Sequence, residues 1–259
     1  VRFYLGTHLP VWLERLNVPL FVSHRRLGHR KRLPVAITRW ALDSGGFSEL
    51  TMYGKWRTEP ADYIDAVRRY MTDIGKMDWA APMDWMCEPH MLAKTGLSVD
   101  RHQGLTVENL SLLREHAPEV PFIPVLQGWV LADYLACIDR YARQGIYLAA
   151  EPVVGVGSVC RRQDTAEIGT IFRELKDAGI NCHGFGVKSV GLGLYGRHLV
   201  SADSMAWSYE ARRNPPLPGC SHGKTGTGNC ANCPIWAMAW RERVLARMSI
   251  QQPDLWEGT

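Results

Sequence analysis

The sequence predicts a (β/α)8 barrel of the TIM type, carrying a C-terminal structural zinc loop and helix. Three observations point there. Short apolar runs alternate with amphipathic stretches, polar residues stand at the carboxyl end of successive runs, and 259 residues suit such a barrel, which takes about 250. The chain reads as one domain, 1–259, with a metal-binding segment over 215–248. An open doubly wound sheet would satisfy the same alternation, because the first two crossovers are poor helices.

Phe3-Tyr4-Leu5 reads as the first strand, ending at Gly6-Thr7-His8, and Leu20-Phe21-Val22 as the second, ending at Ser23-His24. Ile37 to Leu42 is the third and ends at Asp43. Thr58 is placed to cap a helix with Tyr63, Ile64, Val67, Tyr70, Met71 and Ile74 on one face, stopped by Gly75. Trp79 to Met83 is the fourth strand and delivers Asp84; Thr106 is placed to cap the following helix. Phe122 to Leu126 ends at Gln127-Gly128-Trp129, Leu131 to Ala142 is a helix, and Ile146 to Ala150 is the sixth strand, with Glu151 at its end. The Gly-rich stretch Val154-Gly155-Val156-Gly157-Ser158 reads as a loop before a helix containing Ile168, Ile171, Phe172 and Leu175. Cys182 to Val187 and Leu199 to Ala202 complete the strands, the last ending at Asp203. Beyond the stiff run Pro215-Pro216-Leu217-Pro218-Gly219, a final helix has Ile235, Met238, Ala239, Leu245 and Met248 on its apolar side.

Hydrophobic residues at 46% and charged residues at 22% describe a globular chain with a sizeable core. No run of 18 apolar residues and no charged-then-apolar start predicts a membrane span or a signal peptide, so a cytoplasmic address is expected. Seven cysteines, two of them in a C-x2-C pair, favour thiols and a metal site over a disulfide framework. The net charge of +4 is concentrated: Arg25, Arg26, Arg30, Lys31 and Arg32 fall within eight residues. Such a run is commonly a solvated loop. Almost without compensating acid, it also suits a polyanion backbone.

Asp43-Ser44-Gly45-Gly46-Phe47 combines a carboxylate, a hydroxyl, two glycines that let a ligand approach the backbone, and a ring able to cover a flat ligand. The same residues make an ordinary Asx-type turn. In a barrel, Asp43, Asp84 and Asp203 would face one cavity, joined by Gln127 and the Gly155-Val156-Gly157 backbone. Two carboxylates suffice for nucleophile and acid/base roles at a glycosidic carbon. Helix capping by each aspartate is the bland alternative.

Cys220, His222, Cys230 and Cys233 form C-x-H-x7-C-x2-C in a polar, glycine-rich stretch that could not bury itself by packing. A structural Zn2+ would supply its folding energy and leave no open position for catalysis.

In this order, Asp43-Ser44-Gly45-Gly46-Phe47, Asp84, Leu126-Gln127-Gly128, the Gly-rich segment, Asp203 and the Cys/His cluster resemble the landmarks of the tRNA-guanine transglycosylase superfamily. Leu5-Gly6-Thr7-His8 with Trp12-Leu13, Ser201-Ala202-Asp203-Ser204 and the early His222 make the chain most similar to the deazapurine DNA-modification transglycosylases (DpdA) of phages and bacteria. The resemblance covers nearly the whole chain. It implies replacement of guanine in DNA by a 7-deazaguanine base of the preQ0 type, through a covalent Asp-glycosyl intermediate. Asp203 would be the nucleophile and Asp43 the acid/base. Ser44, Phe47, Asp84, Gln127, Gly128, Gly155, Val156 and Gly157 would bind the base, and Arg25, Arg26, Arg30, Lys31 and Arg32 the DNA backbone. Implied partners are DNA and the free base, with a helper ATPase or a homodimer admitted and no membrane; a phage-encoded chain would act in the host cytoplasm. A tRNA substrate, a non-catalytic nucleic-acid-binding subunit of the same fold and an unrelated barrel glycosidase are the competing readings.

Overall fold

The structure, a computed structural model, describes residues 1–160, 162, 166–187, 189–220 and 228–249. Its strands are β1 (Arg2–Thr7), β2 (Leu20–Ser23), β3 (Trp40–Asp43), β4 (Met77–Ala80), β5 (Val125–Leu126), β6 (Val154–Val156), β7 (Cys182–Gly184) and β8 (Ser201–Ser204). All pair in parallel in one sheet of order β4-β3-β2-β1-β8-β7-β6-β5, so the first and last strands lie side by side at its middle. The sheet curls until its edges meet at one bridge, Ala80 to Phe122. There Ala80 N–H donates to Pro121 O at 3.0 Å and Ile123 N–H to Ala80 O at 3.1 Å.

Parallel strands need cover on both faces, and side chains alternate between them. Phe3, Leu5, Leu20, Val22, Trp40, Leu42, Val154, Val156, Cys182 and Ala202 face outward into the main core. Tyr4, Phe21, Ala41, Trp79, Ala81 and Ile123 face inward and pack on one another, with Val153 and Phe185 against them. The interior is therefore a plug of aromatic rings.

The outer layer comprises α1 (His24–Leu27), α2 (Gly46–Tyr53), α3 (Pro60–Asp73), α4 (Pro89–Thr95), α5 (Val99–His116), α6 (Leu131–Arg143), α7 (Ala166–Asp177), α8 (Ser189–Tyr195), α9 (Ala206–Arg213) and α10 (Pro234–Ser249). On α3, Tyr63, Ile64, Val67 and Tyr70 are buried at helical spacing, as the sequence predicts. At the amino end of the strands, Arg114 of α5 binds both oxygens of Glu151 at 2.7 and 2.8 Å and the carbonyl of Phe122. This clamps the start of the fifth and sixth strand segments. No helix among the described residues is long and apolar enough to cross a membrane.

The structure departs from the sequence reading at several places. Ile146 to Ala150 is not a strand: Tyr147 is 68% exposed and Leu148–Ala150 forms a 3-10 turn. The sixth strand is Val154–Val156, part of the stretch read as a loop. Gly155 occupies an inward position there because Phe185 lies over it; a Cβ would meet that ring at 2.4 Å. β3 begins at Trp40 and leaves Ile37 exposed, whereas β4 ends at Ala80. Pro82 has no N–H with which to extend that ladder. Thr106 does not cap α5 but lies inside it, its hydroxyl donating to His102 O and accepting Trp85 N–H; Ser98 is the cap and accepts Arg101 N–H. Glu59, not Thr58, is the N-cap residue of α3. On α10, Ile235 is exposed and the buried face is Trp236, Ala237, Trp240 and Val244. α1, α2, α4 and α9 have no counterpart in the sequence reading.

Candidate active site

The carboxyl ends of β3 and β8 bring Asp43 and Asp203 to one cavity of about 460 Å³, lined also by Thr7, His8, Phe21, Ser23, Arg25, Arg26, Phe47 and Met205. A deeper recess of about 220 Å³ shares Phe21, Asp43, Phe47 and Asp203 and adds Asp84, Glu88, Gly157, Ser158, Cys160 and Phe185. A larger cavity of about 560 Å³ lies at the opposite end of the strands, beside Arg2, Asp78, Arg114 and Glu151, away from these carboxylates. Ligands of parallel α/β folds gather at the carboxyl ends. The first two cavities, which hold these carboxylates, are therefore the candidate site.

Asp43 Oδ1 accepts Gly45 N–H at 3.1 Å, the Asx-type turn expected of this sequence. Gly45 has φ 84°, and a Cβ there would strike Arg25 Cγ at 2.7 Å, so the turn requires glycine. Helix α2 starts at once with Gly46. Burial raises the Asp43 pKa, opposed by the Gly45 and Ser23 hydrogen bonds and assisted by the charge of Asp203. A carboxyl so placed is suited to carry a proton.

Asp84 lies four residues beyond β4 in 81–88, a buried segment without regular structure. Backbone groups buried in this way need partners, and side chains supply them. Tyr63 OH donates to Ala81 O at 2.7 Å, Asn109 Nδ2 to Met83 O at 2.6 Å and Trp56 Nε1 to Asp84 O at 3.2 Å, while Ser158 Oγ accepts Cys87 N–H at 2.8 Å. Held there, Asp84 accepts Gln127 Nε2 at 2.6 Å and Ser44 Oγ at 3.3 Å. Burial, then the charge of Asp43, pushes its pKa up to about 7. Gln127 is held in turn: Gln103 Nε2 donates to its carbonyl at 2.7 Å, and Ser158 Oγ donates to its Oε1 at 2.7 Å. Ser158 also lies 3.0 Å from Glu88 Oε2.

The other expected base-binding residues divide. Gly157 lines the recess, Gly155 sits beneath Phe185, and Val156 points outward into the helix-facing core. Gly128 packs against α6, where a Cβ would meet Asp133 Cβ at 2.8 Å. Phe47 is 38% exposed over both cavities. Of the basic run, Arg25 and Arg26 line the outer cavity, and Arg25 pairs with buried Glu49 at 3.1 Å. The loop then descends along α3, where Arg69 binds the carbonyls of Arg30 and Lys31. Arg30, Lys31 and Arg32 are exposed, and none lines that cavity.

His183 was missed. It points inward from β7, fully buried, with Nε2 3.3 Å from Asp203 Oδ1 and Nδ1 2.9 Å from Ser201 Oγ. Asp203 Oδ1 also accepts Gly186 N–H at 2.9 Å. A lone histidine in a short strand carries no periodic signal. Its neighbours emerge only in the cross-strand register His183 to Ser201.

Cys220, Cys230 and Cys233 have their sulfurs within 4.8 Å of one another, with Cys220 and Cys233 at 3.8 Å. Thiolates around one tetrahedral ion with metal–sulfur bonds of 2.3 Å would stand about 3.8 Å apart, so this donor set can hold a metal. His222 lies outside the described residues. The cluster segment docks on the loop after β1 through His8 Nε2 to Asn232 Oδ1 at 2.6 Å and on α9 through Ser208 Oγ to Ala231 O at 2.9 Å.

Fold and cavity define an α/β protein with a carboxylate-lined, base-sized recess at the carboxyl ends of a curled parallel sheet. The family model described as DpdA, DeoxyPurine in DNA protein A, matches residues 1–257, and the chain belongs to that family, which is one of deazapurine modification of DNA. No curated protein matches the chain. Among solved structures, a Sinorhizobium meliloti protein provisionally described as an isomerase, in an open-loop conformation, aligns at 10% identity and a TM-score of 0.42. The alignment covers 78% of this chain and 50% of that one, so the chain spans half the length of that structure.

Proposed function

We propose that the chain is a base-exchange transglycosylase that replaces guanine in DNA with a 7-deazaguanine of the preQ0 type, and that its curled sheet works as a closed (β/α)8 barrel. The observation that carries this reading is that Asp43 and Asp203 share one cavity, while Asp84, held from behind by Gln127, lines the recess beside it. Asp203 attacks C1′ of the nucleotide, the C1′–N9 bond breaks, and its electron pair leaves on guanine N9, which takes the proton carried by Asp43. The entering base then attacks C1′ through its own N9. Its proton passes to Asp43, the Asp203–C1′ bond breaks, and the carboxylate is restored. No net proton and no nucleotide triphosphate is consumed.

Phe47 covers the base, and Asp84 with Gln127 reads its N–H and carbonyl edge. Arg25 and Arg26 hold phosphates at the mouth, offsetting the few kcal/mol needed to unstack the nucleotide. Zn2+ on Cys220, Cys230, Cys233 and His222 would be structural, completing the fold of 215–248 within one unit, 1–259. The chemistry needs no other cofactor.

The deciding experiment is exchange of labelled guanine and 7-deazaguanine on DNA and on tRNA, with trapping of the covalent adduct. Asp203→Asn should abolish exchange and adduct together, whereas Asp43→Asn should bind DNA and still accumulate some adduct. Near-normal turnover by Asp203→Asn refutes the nucleophile. Exchange on tRNA alone refutes the DNA substrate.

A further inference from the structure

We infer that His183 is a positioning residue for Asp203: held in one tautomer by Ser201, it fixes the carboxylate so that a single oxygen faces the nucleotide. The inference rests on the proposed role of Asp203 and assigns how that role is prepared. Ser201 and Asp203 are two residues apart on β8, so both point inward, and His183 on the neighbouring strand lies beside them. Its ring bridges them, with Nδ1 at 2.9 Å from Ser201 Oγ and Nε2 at 3.3 Å from Asp203 Oδ1.

A hydroxyl donating to Nδ1 leaves the ring proton on Nε2, where it meets the carboxylate. Asp203 Oδ1 then receives two N–H donors, from His183 and from Gly186 at 2.9 Å, whereas Oδ2 accepts none among the described residues. The two oxygens are thereby made unequal: one is anchored, and the other keeps its lone pairs for C1′. Rotation of the ring is blocked on several sides. Trp79 and Phe185 stand edge-on at centroid distances of 4.7 and 4.9 Å, with Tyr4 and Phe21 at 5.9 Å. This aromatic box explains why a histidine can be fully buried inside the sheet and still hold one orientation.

The test compares His183→Phe, His183→Gln and Ser201→Ala in single-turnover adduct formation and steady-state exchange, with unfolding curves measured on each. Phenylalanine fills the box without a donor, so kcat should fall about 10²-fold, the order expected for a misaligned nucleophile, with KM little changed. Glutamine retains an N–H donor and should recover most of the loss. Ser201→Ala should fall between wild type and His183→Phe, and ¹⁵N spectra of the wild-type imidazole should show the Nε2–H tautomer. Wild-type kcat in a folded His183→Phe, or an Nδ1–H tautomer, overturns the inference. If wild type itself forms no adduct through Asp203, the proposed function fails instead, and the two failures are distinguishable.

Discussion

Gln127 Nε2 donates to Asp84 Oδ2 at 2.6 Å, across the gap between the segments that follow the two edge strands of the sheet. The contact holds a carboxyl whose pKa burial has pushed up to about 7, above its ordinary value of 3.8. In the folded state the proton is therefore bound more tightly than in the unfolded chain. Asp84 contributes stability that is full below about pH 4 and lost as pH rises to about 7. Asp84→Asn should remove that part of the pH slope in urea unfolding. Base affinity should move oppositely in the wild type, rising through about pH 7 as the carboxylate forms and accepts the base N–H groups. Parallel pH profiles for the two proteins would contradict the assignment.

Gly157→Ala should damage the recess specifically. A Cβ there would lie 2.3 Å from the Gln127 amide, which cannot retreat without releasing Asp84 or Ser158. We expect a loss of about 1–3 kcal/mol in unfolding free energy together with weaker discrimination among purine bases. Gly169→Ala is the control: on α7 the nearest atom to its Cβ is 4.0 Å away. It should stabilise the chain by about 0.5–1 kcal/mol. Equal behaviour of the two variants would dissociate Gly157 from the base.

Metal analysis should return about one Zn2+ per chain, with Cys230→Ser or Cys233→Ser losing it. Binding energy is folding energy in such a loop. Chelation should first raise hydrogen exchange in α10, whose amino end follows Cys233 directly. An ion-free protein with α10 fully protected would remove the site.

The two halves of the basic run should behave differently on DNA. Arg26→Ala should reduce the slope of log affinity against log salt by about 0.9, one phosphate contact, for all sequences alike. The triple change of Arg30, Lys31 and Arg32 to Ala should have the smaller effect per residue, because their loop is drawn toward α3 by Arg69. Measured salt slopes in the reverse order would relocate the DNA path to that loop.

Much of this architecture was legible in the chain because period-2 and period-3.6 patterns survive wherever packing is regular. Tyr63 to Tyr70 announced α3, and Asp43 was correctly set at the end of a strand. Where backbone demands replaced apolar patterning, legibility failed. β6 was hidden because its inward residue is Gly155, whereas the apolar run Ile146 to Ala150 imitated a strand. α2 was hidden because a glycine, Gly45, caps it and another, Gly46, opens it. Asp84 was read as a strand end, but side chains from other elements, not a ladder, fix its place. Finally, the proximity of His183 to Asp203 is a product of register between strands, which a linear pattern does not encode.

Among the described residues, one bridge between Ala80 and Phe122 joins the two sides of the curled sheet, so its joints are mechanically uneven. Seven of its joints are backbone ladders; at the eighth, two main-chain hydrogen bonds are followed, further along, by the side-chain link from Asp84 to Gln127. A hoop opens at its thinnest joint, and here that joint borders the recess. A base held by both Asp84 and Gln127 would act as an extra rung, so occupancy and hoop strength should rise together. Slower amide exchange along β4 and β5 in the presence of free base would be the signature of that coupling.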